Sequence, residues 1–527
     1  MKRKSFIKRA LPVATLPFLI NGLSFKAFGK GSAFEQMLRA ATQTDRVLVL
    51  IQLNGGNDGL NTVIPLDQYS ALSAARANIL IQQNLVLGLN GTTATGLHPS
   101  LTGIQNLYNN QKVAIVQGVS YPNPSFSHFR ATDIWLTAAD SNQTLATGWV
   151  GRFLDQEYTG YPTGYPNTND PDPLALQIGN VVSTALQGPS VSMGIAITSS
   201  SSFYQLTTGN YDPAPNTPAG HELNFIRETS IQTQQYATVI KNAALSQANL
   251  STLYPATGVN SLADQLKIVA QLIGGGLQTR VYMCNLGGFD THNSQVATTG
   301  GTETGDHADL MKKISDAVTA FEDDITLMGQ QDRVLGMTFS EFGRRIKSNA
   351  SYGTDHGSSL PVILFGSKVK GGLVGTNPVI PANATASDNL AMQFDFRSIY
   401  TSILKNWFCI PDAEVSAAML QSFQTLDLFN VSCTTGVNEV NGADSSLLRN
   451  YPNPANNSTI IEFETTGGNI QLKLYDEVGK EIETIVEGTY APGTYRTELD
   501  TQQLEKGIYF YTLRQGEKKF TKRLLVM

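Results

Sequence analysis

Five short strings hold most of the residues able to do chemistry. Asp290 and His292 stand two apart in Gly287-Gly288-Phe289-Asp290-Thr291-His292-Asn293. A carboxylate and an imidazole at that spacing can turn toward one cation, and the pair suits zinc, manganese or iron better than calcium. Glu341 lies in Phe339-Ser340-Glu341-Phe342-Gly343-Arg344-Arg345, and Asp355 and His356 are adjacent in Ser351-Tyr352-Gly353-Thr354-Asp355-His356-Gly357. They add three possible ligands. Arg344 and Arg345 carry guanidinium groups, which pair bidentately with phosphate or sulfate oxygens. Asp58 closes Leu53-Asn54-Gly55-Gly56-Asn57-Asp58-Gly59, where glycines allow a sharp turn. Ser127 and His128 end Tyr121-Pro122-Asn123-Pro124-Ser125-Phe126-Ser127-His128. A serine that opens a helix holds its hydroxyl at the positive end of the helix dipole, which favours an alkoxide or a bound anion. Each string also has a plain structural reading: an Asx turn at Asp58, caps at Asp290 and Ser127, a solvated helix start at the arginines. The chain has only six histidines, so their place in such strings is informative.

What precedes each string sets its place. Arg46 to Leu53 is a nearly continuous apolar run, as in a strand buried on both faces of a parallel sheet. Further strands are predicted at Val113–Gln117, Met193–Thr198, Arg280–Leu286, Val334–Phe339 and Pro361–Phe365. Leu262, Leu266, Val269 and Ile273 recur at helical spacing before Gly274-Gly275-Gly276; Leu310, Ile314, Val318, Phe321 and Ile325 do so along another stretch. This order predicts an α/β, doubly wound, mostly parallel sheet with helices on both faces. Such sheets take ligands at the carboxyl ends of their strands, where the five strings fall. Two metals held there would activate a hydroxyl nucleophile and stabilise charge on a phosphoryl or sulfuryl group.

A chain of 527 residues is too long for one ordinary core, so two or more domains are expected. With 15% charged residues and mean hydropathy −0.13 it is neither a disordered tail nor a multi-span membrane protein. Past residue 30, 30 basic residues face 43 acidic ones, a net of −13 that argues against nucleic acid as a partner. Three distant cysteines (Cys284, Cys409, Cys433) spell neither a disulfide framework nor a zinc site. Residues 1–29 read as an export signal: a basic start from Lys2 to Arg9, then an apolar run from Ala10 to Leu23, too short and too broken by Pro12 and Pro17 to span a membrane. Residues 44–433 form the α/β region, 434–446 a Gly/Asn-rich linker, and 447–527 a run of short alternating strands that predicts a small β-sandwich.

The leader's Arg3-Lys4-Ser5-Phe6-Ile7-Lys8 resembles a twin-arginine signal with Lys in place of the second Arg. The tail resembles the type A sorting domain of the type IX secretion system of Bacteroidetes-like bacteria, through Asn450-Tyr451-Pro452-Asn453-Pro454, Leu474-Tyr475-Asp476 with Gly479, and Gly507-Ile508-Tyr509. That implies passage through the periplasm to the cell surface or medium, with the secretion machinery as a partner. The middle resembles an exported bacterial family, the domain of unknown function numbered 1501. The strings just given carry the likeness, with Gly148-Trp149-Val150-Gly151-Arg152. That family is similar in turn to the alkaline phosphatase and sulfatase superfamily, which implies one or two divalent ions (zinc, manganese or calcium) and an anionic ester substrate. On that likeness Asp58, Asp290, His292, Glu341, Asp355 and His356 are metal ligands, and Ser127, His128 and Arg344 are catalytic. Glu341 stands where the superfamily usually has an Asp-His pair, and the sulfatase motif Cys-x-Pro-x-Arg is absent. The implied function is an exported metal-dependent hydrolase of phosphate or sulfate esters; the alternative is a non-catalytic surface binding protein on a degenerate hydrolase fold.

Overall fold

The computed structural model describes residues 18–20, 23–25, 44–199, 214, 215, 217–433, 448–476, 479–516 and 518–527. Residues 434–446, read as a linker, lie outside them, as does most of the segment 1–29 read as an export signal, of which Phe18–Ile20 and Leu23–Phe25 pair as antiparallel strands. No described helix is long and apolar enough to cross a membrane. Gln43–Cys433 form one compact unit.

That unit is built on a nine-stranded sheet. In chain order its strands, with a hairpin that stands apart from it, are β1 (Val47–Asn54), β2 (Val113–Ser120), β3 (Ala175–Ile178), β4 (Gly194–Ile197), β5 (Val281–Gly287), β6 (Val334–Phe339), the hairpin β7 (Gly343–Ser348) and β8 (Thr354–Gly357), then β9 (Leu360–Phe365), β10 (Gly372–Val374) and β11 (Phe394–Asp395). The spatial order is β10-β2-β9-β6-β1-β5-β3-β4, with β11 beside β2. β1 pairs in parallel with β5 and β6, and β3 in parallel with β5 and β4. Only β9 is reversed: it pairs antiparallel with β6 and β2. The sheet is therefore mixed and mostly parallel.

The apolar run at β1 does what a strand covered on both faces must do. Leu48 and Leu50 enter one core, with Trp135, Trp149 and Tyr400 from helices on that side. Val47, Val49, Ile51 and Leu53 enter the other, with Leu266 and Ile314 from the opposite helices. Those helices follow the expected stripes. In α2 (Ser261–Gly274) Leu262, Leu266, Val269 and Ile273 are buried, and Asn260 caps the start by accepting from the Leu262 and Ala263 amides. In α3 (Asp306–Leu327) Leu310, Ile314, Val318, Phe321 and Ile325 are buried. One disulfide joins Cys409 to Cys433, and Arg46 at the foot of β1 donates to the Trp407 carbonyl at 2.6 Å beside it. Three cysteines had given no reason to expect that bond.

In the tail, two antiparallel sheets of three and four strands share one core that includes Ile461, Phe463, Ile470, Leu472, Leu474, Tyr511 and Leu513.

Candidate metal site at the strand ends

Every string read as chemistry leaves the carboxyl edge of the sheet or enters it there. The turn after β1 carries Asp58, and the loop after β5 carries Asp290 and His292. Glu341 follows β6, and Ser127 and His128 follow β2 at the start of α1 (His128–Thr137). The hairpin strand β8 holds Asp355 and His356 just before the reversed β9. The β1 and β5 loops touch so closely that Gly55, at φ +126°, has room only for hydrogen: a Cβ there would stand 2.2 Å from the Asp290 amide nitrogen.

Three imidazoles gather around one carboxylate. His356 Nε2 and His292 Nε2 each lie 3.2 Å from Asp290 Oδ1 and 2.9 Å from one another. His128 Nε2 lies 3.4 Å from Asp290 Oδ2. His128, Asp290 and His356 present ligand atoms that all lie within 4.8 Å of one another, a group that can hold a metal ion. Each ring turns its other nitrogen outward to an acceptor. His356 Nδ1 faces the Phe126 carbonyl at 2.8 Å, His292 Nδ1 faces Asp355 Oδ1 at 3.1 Å, and His128 Nδ1 faces Glu341 Oε1 at 2.8 Å. In the neutral tautomer that keeps its hydrogen on Nδ1, bonded to these acceptors, the Nε2 lone pairs point inward. Bonds of about 2.1 Å to a shared ion set neighbouring ligand atoms about 3.0–3.4 Å apart, so the spacing fits a divalent transition metal. Burial pushes His356 below the usual histidine range, ahead of the opposing Phe126 carbonyl and Asp290, which favours the neutral, ligating form. At Asp290 burial works upward, but the hydrogen bond and charge of Arg344, with contributions from the His356 and His292 rings, hold the carboxyl down at about 2.

The remaining residues take other work. Arg344 is almost wholly buried, and its guanidinium donates to the carbonyls of Gly56 (2.7 Å), Thr354 (2.7 Å), Phe289 (2.8 Å) and Gly55, and to Asp290 Oδ1 at 2.8 Å. With its donors so spent, it ties four segments together and is not a free anion handle. Asp58 is also buried, and its oxygens are taken: Arg76 Nη1 reaches both at 3.0 and 2.8 Å, Gln295 Nε2 donates at 2.6 Å, and the Leu60 amide at 3.2 Å makes it a helix N-cap. The structure thus places Asp58, expected as a metal ligand, in a buried ion pair with Arg76. Glu341 accepts from the Gly55 amide at 2.8 Å and from the Ser340 hydroxyl at 3.2 Å besides His128, so it stands behind an imidazole. Asp355 stands behind His292 in the same manner. Ser127 is exposed ahead of α1 and makes no side-chain capping bond.

Next to Asp58 lie two histidines that no string pointed to. His98 and His307 meet edge to face at 5.5 Å between centroids, and burial pushes them down to about 3 and about 4. Arg76, Gln295, His98 and His307 come from four separate places in the chain, and only the scarcity of histidine hinted at the last two.

Geometry and topology thus define an α/β protein with a histidine-rich, metal-type site at the carboxyl edge of its sheet. Residues 224–408 match the family described as protein of unknown function (DUF1501), and residues 449–527 match the secretion system C-terminal sorting domain. The chain therefore carries a DUF1501 region followed by a sorting domain that directs it to the cell surface or medium. The first match holds the Asp290, Glu341 and His356 strings; those of Asp58 and Ser127 fall outside it. No curated protein matches the chain. Among solved structures it is similar to a sulfatase from Pseudoalteromonas sp., at 10% identity over 89% of this chain and 86% of that one, with a TM-score of 0.32. It is similar to a phosphonate monoester hydrolase from Silicibacter pomeroyi at 10% identity over 91% and 89%, with a TM-score of 0.31. PorZ, a surface component of the type IX secretion system of Porphyromonas gingivalis, is 17% identical over 19% of this chain and 13% of its own, with a TM-score of 0.13.

Proposed function

We propose that this protein is an exported metal-dependent hydrolase of phosphate or sulfate esters. The observation that carries the reading is the contact of 2.9 Å between His292 Nε2 and His356 Nε2. With the Nδ1 hydrogens on their outer acceptors, the two Nε2 lone pairs face one another and Asp290 Oδ1, an arrangement that a cation among them relieves. Zinc or manganese suits such a donor set better than calcium. A bound divalent ion supplies Lewis acidity toward an ester's anionic oxygens and toward a nearby hydroxyl. Ser127 is the hydroxyl this reading uses as nucleophile, one residue before His128 and open to solvent. Arg345, over the Phe126 ring at 5.0 Å, is the guanidinium it uses to draw an anion in, since Arg344 is spent. The side chains of Asp290 and His292 are 48% and 42% exposed, which leaves an ester room to approach.

The test pairs metal content with turnover of 4-nitrophenyl phosphate and 4-nitrophenyl sulfate. Chelation and Asp290→Asn should each abolish hydrolysis, and Ser127→Ala should abolish it with the metal retained. Full turnover in the chelated or Asp290→Asn protein would refute the reading. A second reading, a non-catalytic surface binding protein, draws on the burial of Asp58 against Arg76, which removes a carboxylate from the chemistry. It predicts no hydrolysis on either ester with the metal bound.

A further inference from the structure

The number of ions and the identity of their ligands follow from which atoms already have partners. We infer that the centre takes one divalent transition-metal ion on Asp290, His128, His292 and His356, that Glu341 and Asp355 are positioning residues, and that arginines stand where a second ion would. The inference concerns the same site as the hydrolase reading, yet its test does not pass through turnover.

His292 and His356 Nε2 each stand 3.2 Å from Asp290 Oδ1, and His128 Nε2 stands 3.4 Å from Oδ2; His128, Asp290 and His356 have ligand atoms all within 4.8 Å of one another, and His292 joins them through its 2.9 Å contact with His356. The carboxylates behind them are already committed. Glu341 is buried and spends Oε1 on His128 Nδ1 and the Gly55 amide, and Oε2 on Ser340. Asp355 turns Oδ1 to His292 Nδ1, with the Asn349 amide at 3.4 Å. Carboxylates in that position fix the ring and its tautomer, and their loss typically weakens a metal site about 10- to 100-fold. A second ion would need a second set of ligands. The obvious donor, Asp58, is paired with Arg76 at 2.8 Å, and Asp290 Oδ1 already receives Arg344 at 2.8 Å. Among the described residues, His128, Asp290 and His356 form the one group of three or more such side chains spaced to hold a metal. His98 and His307 do not extend it: they face Asn57, Thr62 and Ser100.

The experiment strips the full chain with a chelator, titrates it with Zn2+ by calorimetry, and repeats the titration with Co2+ while recording visible absorption. One ion per chain is expected, with cobalt bands that change in His128→Ala and in His356→Ala. Asp355→Asn and Glu341→Gln should each keep one ion and bind it about 10- to 100-fold more weakly at an unchanged melting temperature. Glu341 is buried, so where its variant loses its fold the exposed Asp355→Asn carries the test alone. Two ions per chain would overturn the inference and leave the hydrolase reading standing. One ion without turnover would do the reverse. No ion at all, with a proton shared between His292 and His356, would remove both. Wild-type affinity in Asp355→Asn would overturn the positioning role.

Discussion

Asp58 and Asp290 both leave sheet strands at the same edge, and their surroundings give them different work. Asp58 is 1% exposed and lies against Arg76, which is 0% exposed. Burial pushes the Asp58 carboxyl upward; the charge of Arg76, then that of His307, and the hydrogen bonds from Arg76 and Gln295 outweigh it and hold it low. Removing one partner of a buried pair leaves the other charge unmatched, so Asp58→Asn should cost about 3–5 kcal/mol of stability and leave the metal in place. Asp290→Asn should release the metal and, because Asp290 is half exposed where its partner Arg344 is buried, cost less stability than Asp58→Asn. Chemical denaturation alongside elemental analysis separates the two, and metal loss in Asp58→Asn with normal stability would reverse the assignment. The strings around Asp290, Glu341 and His356 were legible because donors crowd within a few residues of a predicted strand end. The role of Asp58 was not, since Arg76 lies 18 residues away with no motif to announce it.

At the scale of elements, the buried strands were the most readable features. Runs such as Val47 to Leu53 and Val334 to Phe339 are apolar on both faces because both faces are covered. β3, of four residues, and the polar hairpin of β7 and β8 carry too little periodicity to be recognised, yet that hairpin delivers Asp355 and His356. Gly55 is the joint between the β1 and β5 loops. Gly55→Ala should destabilise by at least about 1–3 kcal/mol from backbone strain, with the clash at the Asp290 amide added, whereas Gly88→Ala, with nothing within 4 Å, should be nearly neutral. Thermal melts decide between them. α3 holds a further pressure point. Burial raises the Glu322 carboxyl to about 7, only partly opposed by Lys112, and its Oε2 has no hydrogen-bond partner. The folded chain then keeps a proton that the unfolded chain releases near the ordinary glutamate value of 4.5, so this group lowers stability as pH rises from about 4.5 to about 7. Glu322→Gln should raise the melting temperature at pH 8 and change it little at pH 4; an equal change at both would contradict this.

At the scale of the whole molecule, the chain pairs a metal-type site with a signal for leaving the cell. The sorting domain at residues 449–527 and the Cys409–Cys433 disulfide agree with one another, because such bonds persist in oxidising surroundings. The disulfide closes a separation of 24 residues, for which the chain-entropy account gives about 3.5 kcal/mol. A reducing agent should therefore lower the melting temperature of the wild type and leave that of the Cys409→Ser, Cys433→Ser double variant unmoved. Residues 31–527 carry 30 basic and 43 acidic side chains, a balance that gives no net attraction to nucleic acid. Division into an α/β region and a strand-rich tail was plain in composition and spacing. The pairing of the cysteines was not, because with three of them only the fold selects the partners. All of this bears on one claim, that distant imidazoles and a carboxylate are drawn together to hold a cation. Elemental analysis of the purified full-length chain beside its Asp290→Asn variant tests it most directly: one zinc or manganese per chain in the first and none in the second is the predicted result, and a metal-free wild type that still binds none when zinc is supplied would contradict it.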